Sequence, residues 1–350
     1  MTARSAAVYM ANALRELDRT SLPRLPPAPG CDGEAEYLRQ VDLWKTWINW
    51  ERSDPLEDKA TDPATYKARV LFAYKQALMA LRFWPEMWYE AAEWCFQNDQ
   101  EAEGNNILTQ GIEANPESLL LAFKRADRVE ITSVNEDGED APRKRGDAVR
   151  EPYNHLLDAL YALTKKIKER GDEELARGRE VLAQQAAMED HPMNDDDDDD
   201  DDQPNGDGAL QERAKEREAQ REVQLAALKA AGDAQVEEMK KLITTAWIGL
   251  MRAMRRVQGK GKPNDPTTVG GSRQVFADCR KRGFLTSEIY VAAALIEHYA
   301  YKEPAGTKIF ERGVKLFPED EHLVLEYLKH LIAINDITSK SLHATQPSTR

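Results

Sequence analysis

The chain has 350 residues, 41% of them hydrophobic, and a net charge of −14. Eight of those charges come from residues 195–202, all aspartate, so the remainder is mildly acidic at −6, which argues against a protein whose main work is gripping phosphate backbones. No apolar run approaches the ~20 residues of a membrane-spanning helix, and the distant cysteines Cys31, Cys95 and Cys279 fit a reducing compartment, with neither a disulfide framework nor a zinc site.

Residues 1–20 read as an amphipathic helix with Ala6, Val8, Tyr9, Ala13 and Leu14 on one side, and lack the apolar core of a secretory signal. Residues 21–30 contain four prolines and are expected to be extended, because proline fixes φ and removes an amide donor. This first region, 1–35, precedes a set of paired helices: 36–51 with 65–83, 86–98 with 101–114, and 118–131 with 144–163. Pro85 and Pro116 stand where each new pair begins, as Pro318 does later, a position where the first helical turn tolerates proline.

A pattern recurs on the first helix of each pair. It appears as Trp44-x-x-Trp47-x-x-Trp50-Glu51, then as Trp88-x-x-Ala91-x-x-Trp94, Trp247-x-x-Leu250-x-x-Ala253 and Tyr290-x-x-Ala293-x-x-Ile296-Glu297. Second helices carry Arg69-x-x-Phe72, Arg150-x-x-Tyr153, Arg273-x-x-Phe276 and the variant Lys308-Ile309-Phe310-Glu311-Arg312. Large residues alternating with small ones at helical spacing let a partner helix approach closely. The signature residues are therefore assigned to packing between repeats, and the fold class is all-α, an α-solenoid of antiparallel helix pairs.

Residues 164–241 interrupt the pattern. Two charged, alanine-rich stretches favour helix, and the acidic segment between them, 190–208, is expected to be a disordered loop. The aspartates read as a solvated linker, with competition for a basic surface as the alternative; a flexible run does not form a tight cation site. Repeats resume at 242–334, with pairs 242–258 and 268–283, then 286–301 and 303–316, and a first helix at 319–334. Residues 335–350 read as a disordered tail, leaving the apolar positions Leu323, Leu325, Leu328 and Ile332 without a covering second helix, as though the architecture continued beyond this chain.

No histidine stands in a metal-ligand spacing, and no catalytic, cofactor or metal site is indicated. Gly259-Lys260-Gly261-Lys262 lacks the frame of a phosphate loop and reads as a turn. Val269 to Arg273 could hold an anion at a helix start, or Ser272 could simply cap that helix. Around them lie Arg252, Arg255, Arg256, Lys260, Lys262, Arg273, Arg280, Lys281 and Arg282, open to three readings: contact with RNA, contact with the chain's own acidic loop, or an ordinary solvated face.

The phrases Leu43-Trp44-Lys45-Thr46-Trp47-Ile48-Asn49-Trp50-Glu51 and Lys308-Ile309-Phe310-Glu311-Arg312-Gly313 resemble HAT (half-a-tetratricopeptide) repeats. Together with Arg52-Ser53-Asp54-Pro55-Leu56, Arg69 through Leu78, Pro85-Glu86-Met87-Trp88-Tyr89-Glu90-Ala91-Ala92 and Tyr290 through Glu297, they resemble the HAT-repeat scaffold family of cleavage stimulation factor and fungal cleavage factor I, the Suf-domain family. The resemblance covers most of 1–335 apart from the insertion. It implies a nuclear scaffold for pre-mRNA cleavage and polyadenylation, with the cytoplasm as a second compartment and no catalysis. It further implies other cleavage and polyadenylation subunits as partners, a homodimer through the C-terminal HAT repeats, mainly indirect contact with pre-mRNA and none with membranes. Preceding and final HAT repeats and a proline-rich tail are missing from the pattern. A HAT scaffold of splicing or ribosome assembly, or direct RNA binding through Arg252, Arg255, Arg256, Lys260 and Lys262, are the alternatives.

Overall fold

The computed structural model describes residues 25–133, 141–189, 206–263 and 269–344, with residues 5, 8, 10–12 and 15 before them. Most of the expected N-terminal helix, the aspartate run and the last six residues lie outside the described set. Among the described residues every regular element is helical, and no helix is long and apolar enough to cross a membrane. The chain forms two compact units, one of Met1–Leu156 with Ala253–Arg273 and one of Leu157–Arg252 with Gln274–Arg350.

In the first unit, α1 (Glu34–Arg52), the short α2 (Asp58–Thr61) and α3 (Pro63–Ala80) are followed by α4 (Pro85–Gln97), α5 (Glu101–Ala114) and α6 (Leu119–Thr132). Prolines open α3 and α4, and Asp62 caps α3 by accepting the Thr65 N–H at 3.2 Å. The buried spine of α1 is Tyr37, Val41 and Ile48, with Trp44, Trp47 and Trp50 half-buried beside it. A spacing of three residues drifts around a helix of 3.6 residues per turn, so three tryptophans at that spacing cannot all face one core.

Pairs lock through a notch. In α5, Gly111 lies under Trp88 of α4, where an added Cβ would sit 3.0 Å from the Trp88 Cβ and Cγ. The second unit repeats the device, with Gly313 beneath Tyr290 at 3.1 Å. In each second helix the notch residue follows a buried large residue by three: Tyr74 and Ala77, Leu108 and Gly111, Phe310 and Gly313. Cys279 holds the equivalent place after Phe276, fully buried, and burial pushes its thiol up to about 12.

Two long helices, α7 (Ala141–Glu189) and α8 (Gly206–Gln258), each belong to both units and run without a break through most of the charged insertion. Gly171 and Gly232 let them come close there, each placing a would-be Cβ 3.8 Å from the other's Cα. The second unit also contains α9 (Gly271–Arg282), whose first residues belong to the first unit, then α10 (Ser287–Leu295), a π-helical turn (Ile296–Ala300), α11 (Ala305–Leu316) and α12 (Glu321–Ala344). Its core gathers Tyr290, Val291, Ala294, Phe310 and Leu323. Helix α12 runs past residue 334 through Ala344, where the sequence pattern suggests a tail.

Beside the π turn, His330 of α12 is buried against Phe310, with its ring centroid 4.6 Å from that of His298 and its Nε2 3.0 Å from the Thr307 hydroxyl. Burial, and then the neighbouring His298, hold its pKa below the ordinary 6.5. The unfolded chain therefore takes up this proton more readily than the folded one. Its contribution to stability is complete above about pH 6.5 and is lost as pH falls through the depressed folded value. Hydrogen exchange over α11 and α12, corrected for intrinsic rates, is expected to accelerate from pH 7 to 5 in the parent and much less in His330→Phe. Equal acceleration in both would refute this role.

Candidate functional site

The repeat-packing residues divide into core and surface. Trp88, Trp94, Tyr153, Trp247, Tyr290 and Phe310 are buried, and Phe276 is half-buried, edge-on to Tyr290 with ring centroids 5.4 Å apart. The Trp247 indole donates to the Tyr161 hydroxyl at 3.2 Å, and that hydroxyl donates to the Gly283 carbonyl at 3.0 Å. Arg69 ties α1, α2 and α3 together, donating to Glu51 through Nε at 3.1 Å and Nη2 at 2.9 Å, and to Asp58 through Nη1.

Phe72 departs from the packing assignment: it is 56% exposed, while Tyr74 is fully buried. Residues two positions apart on a helix point about 200° apart, so only one of this pair can face the core. The small Ala77 selects Tyr74, which is the signal that identifies it in the sequence. Phe72 instead lies edge-on to Trp47, with centroids 6.3 Å apart.

Three members of the basic segment, Arg256, Arg280 and Arg282, make internal contacts. Arg256 makes a two-pronged pair with Glu130, at 2.8 and 2.7 Å, and that bonding raises its pKa. Arg282 pairs with Asp158 and lies 4.3 Å from the centroid of the Tyr161 ring, and Arg280 lies 5.8 Å from that of Phe276. All nine basic residues are exposed except Arg273, which is half-buried. Of the five candidate RNA contacts, Arg252 belongs to the second unit and Arg255, Arg256, Lys260 and Lys262 to the first.

The two glycine-bearing segments bond to each other rather than to an anion. Ser272 N–H donates to the Gly259 carbonyl at 3.0 Å, Arg273 N–H to that of Lys260 at 3.2 Å, and Gly271 N–H to the Gln258 side chain at 3.3 Å. These are the amides an anion would need at the start of α9. Gly261, at φ 62, could carry no side chain there, because a Cβ would fall 2.1 Å from the Gly270 carbonyl oxygen. The arrangement is a closed turn.

No group of three or more His, Cys, Asp or Glu side chains among the described residues is placed to hold a metal ion. In comparison with known proteins, the family model described as Suppressor of forked protein (Suf) matches residues 1–345. The chain is 58% identical over 337 residues to the mRNA 3'-end-processing protein rna14 of Aspergillus fumigatus, covering 96% of this chain and 31% of that protein. It is 47% identical over 352 residues to the Neurospora crassa protein rna-14, covering 97% and 28%. To the Yarrowia lipolytica protein RNA14 it is 29% identical over 340 residues, covering 96% and 32%. The chain thus spans about a third of the length of the curated relatives it matches.

Proposed function

The chain belongs to the Suppressor of forked (Suf) family, and from that premise we propose that it is a non-enzymatic helical-repeat scaffold of pre-mRNA 3′-end cleavage and polyadenylation. The observation that carries this is its 58% identity, over nearly its whole length, to a protein named for mRNA 3'-end processing. A solenoid suits the task, because stacked pairs hold bound factors at fixed spacing and raise their effective concentration near one another. Its partners are other subunits of the processing machinery, it acts in the nucleus, and it pairs with a second copy through its C-terminal repeats. Pre-mRNA is contacted mainly through those partners, a reading supported by the commitment of Arg256, Arg280 and Arg282 to internal contacts.

Affinity purification of the tagged chain from RNase-treated nuclear extract, followed by mass spectrometry, tests the proposal. Cleavage and polyadenylation factors are the expected co-purifying proteins. Splicing or ribosome-assembly factors in their place would move the chain to another scaffold role, and loss of all partners after RNase would favour direct RNA binding.

A further inference from the structure

Successive second helices α3 and α5 border a groove of about 780 Å³ in the first unit. Its floor is apolar, with Leu78, Trp88 and Ile107 all buried beneath it. Along the α3 rim, Met79 is 77% exposed, and Phe72 lies seven positions earlier on the same helical face at 56%. Repeat packing does not require Phe72, because Tyr74 fills the core position of that helix. Met79 lines the groove itself, so a large apolar side chain stands in water beside an apolar floor, a combination that marks interaction surfaces.

The opposite rim is polar in a specific way. Asn106 and Gln110 of α5 are exposed one turn apart, joined by a 3.1 Å hydrogen bond from the Gln110 amide to the Asn106 carbonyl oxygen. Each amide keeps donor and acceptor capacity beyond that bond. An extended backbone has unpaired N–H and C=O groups that need such partners, whereas a helix satisfies its own. The charges on the rims balance: Lys75 of α3 pairs with Glu103 of α5 at 2.7 Å, so the groove matches a segment without strong net charge.

We propose that the α3–α5 groove docks an extended, net-neutral peptide segment of a partner protein, with apolar side chains seated over Leu78 and Ile107 and its backbone bonded to Asn106 and Gln110. This rests on burial and polarity within the first unit and does not depend on the processing role proposed above.

The test is selection of random twelve-residue peptides displayed on phage against the immobilised full chain, followed by titration of the synthetic winners by fluorescence anisotropy. Expected winners are uncharged or balanced peptides rich in leucine, methionine or aromatic residues. Met79→Glu and Gln110→Ala should each weaken their binding, Met79→Glu by about tenfold or more, while Leu325→Glu on α12 should leave it unchanged. Both groove positions are exposed, so unaltered thermal melts verify the fold. The proposal is overturned if no peptide is enriched, if winners bind Met79→Glu as well as the parent, if they are strongly charged, or if they bind as helices by circular dichroism.

Discussion

Replacing Tyr74 by alanine is expected to cost about 3–5 kcal/mol of stability, while Phe72→Ala, two positions away, costs less than about 1 kcal/mol. Tyr74 is wholly buried with its ring 5.9 Å from that of Trp94, so its removal leaves a cavity between two consecutive pairs. Phe72 loses one edge contact with Trp47 and otherwise faces water. Urea unfolding followed by tryptophan fluorescence reports this directly, because six of the seven tryptophans lie between positions 44 and 94. Similar losses for both variants would mean that Phe72 is the packing residue after all.

Gly111→Leu is the second large expected effect, about 3 kcal/mol from overpacking. The new side chain would start 3.0 Å from the Trp88 Cβ, which is fixed to its own helix, so α4 and α5 must separate. Gly111→Ala should cost much less, since a shift of a few tenths of an ångström is partly offset by the roughly 0.5–1 kcal/mol that a helix gains when glycine becomes alanine. The difference between the two variants, read in the same urea experiment, measures how tightly the notch holds the pair. A leucine variant as stable as its parent would show that glycine there is incidental.

The repeats were legible because the pattern has two clear periods: aromatic and small residues at helical spacing within an element, and a longer return between elements. The start of α4 was legible through Pro85, whose chemistry is local, whereas Pro63 and the Asp62 cap, which open α3, were not read from the sequence. Phe72 was misassigned because two aromatics two positions apart both satisfy a loose pattern, and only the small residue at Ala77 distinguishes them. Pairing of Arg256 with Glu130 spans 126 positions and leaves no trace in local composition, so the basic segment looked freer than it is. The α3–α5 groove was invisible for the same reason, since it exists only once two helices from different pairs lie side by side.

The buried thiol of Cys279 has a counterpart in Cys95, also wholly buried, with burial pushing it up to about 11. One belongs to each compact unit. A thiol reagent needs the thiolate and access to it, and neither is available until the surrounding helices part. The protein therefore carries an internal stopwatch for each unit: the alkylation rate of Cys95 times the breathing of the first and that of Cys279 the breathing of the second, with exposed Cys31 marking the unprotected rate in the same molecule.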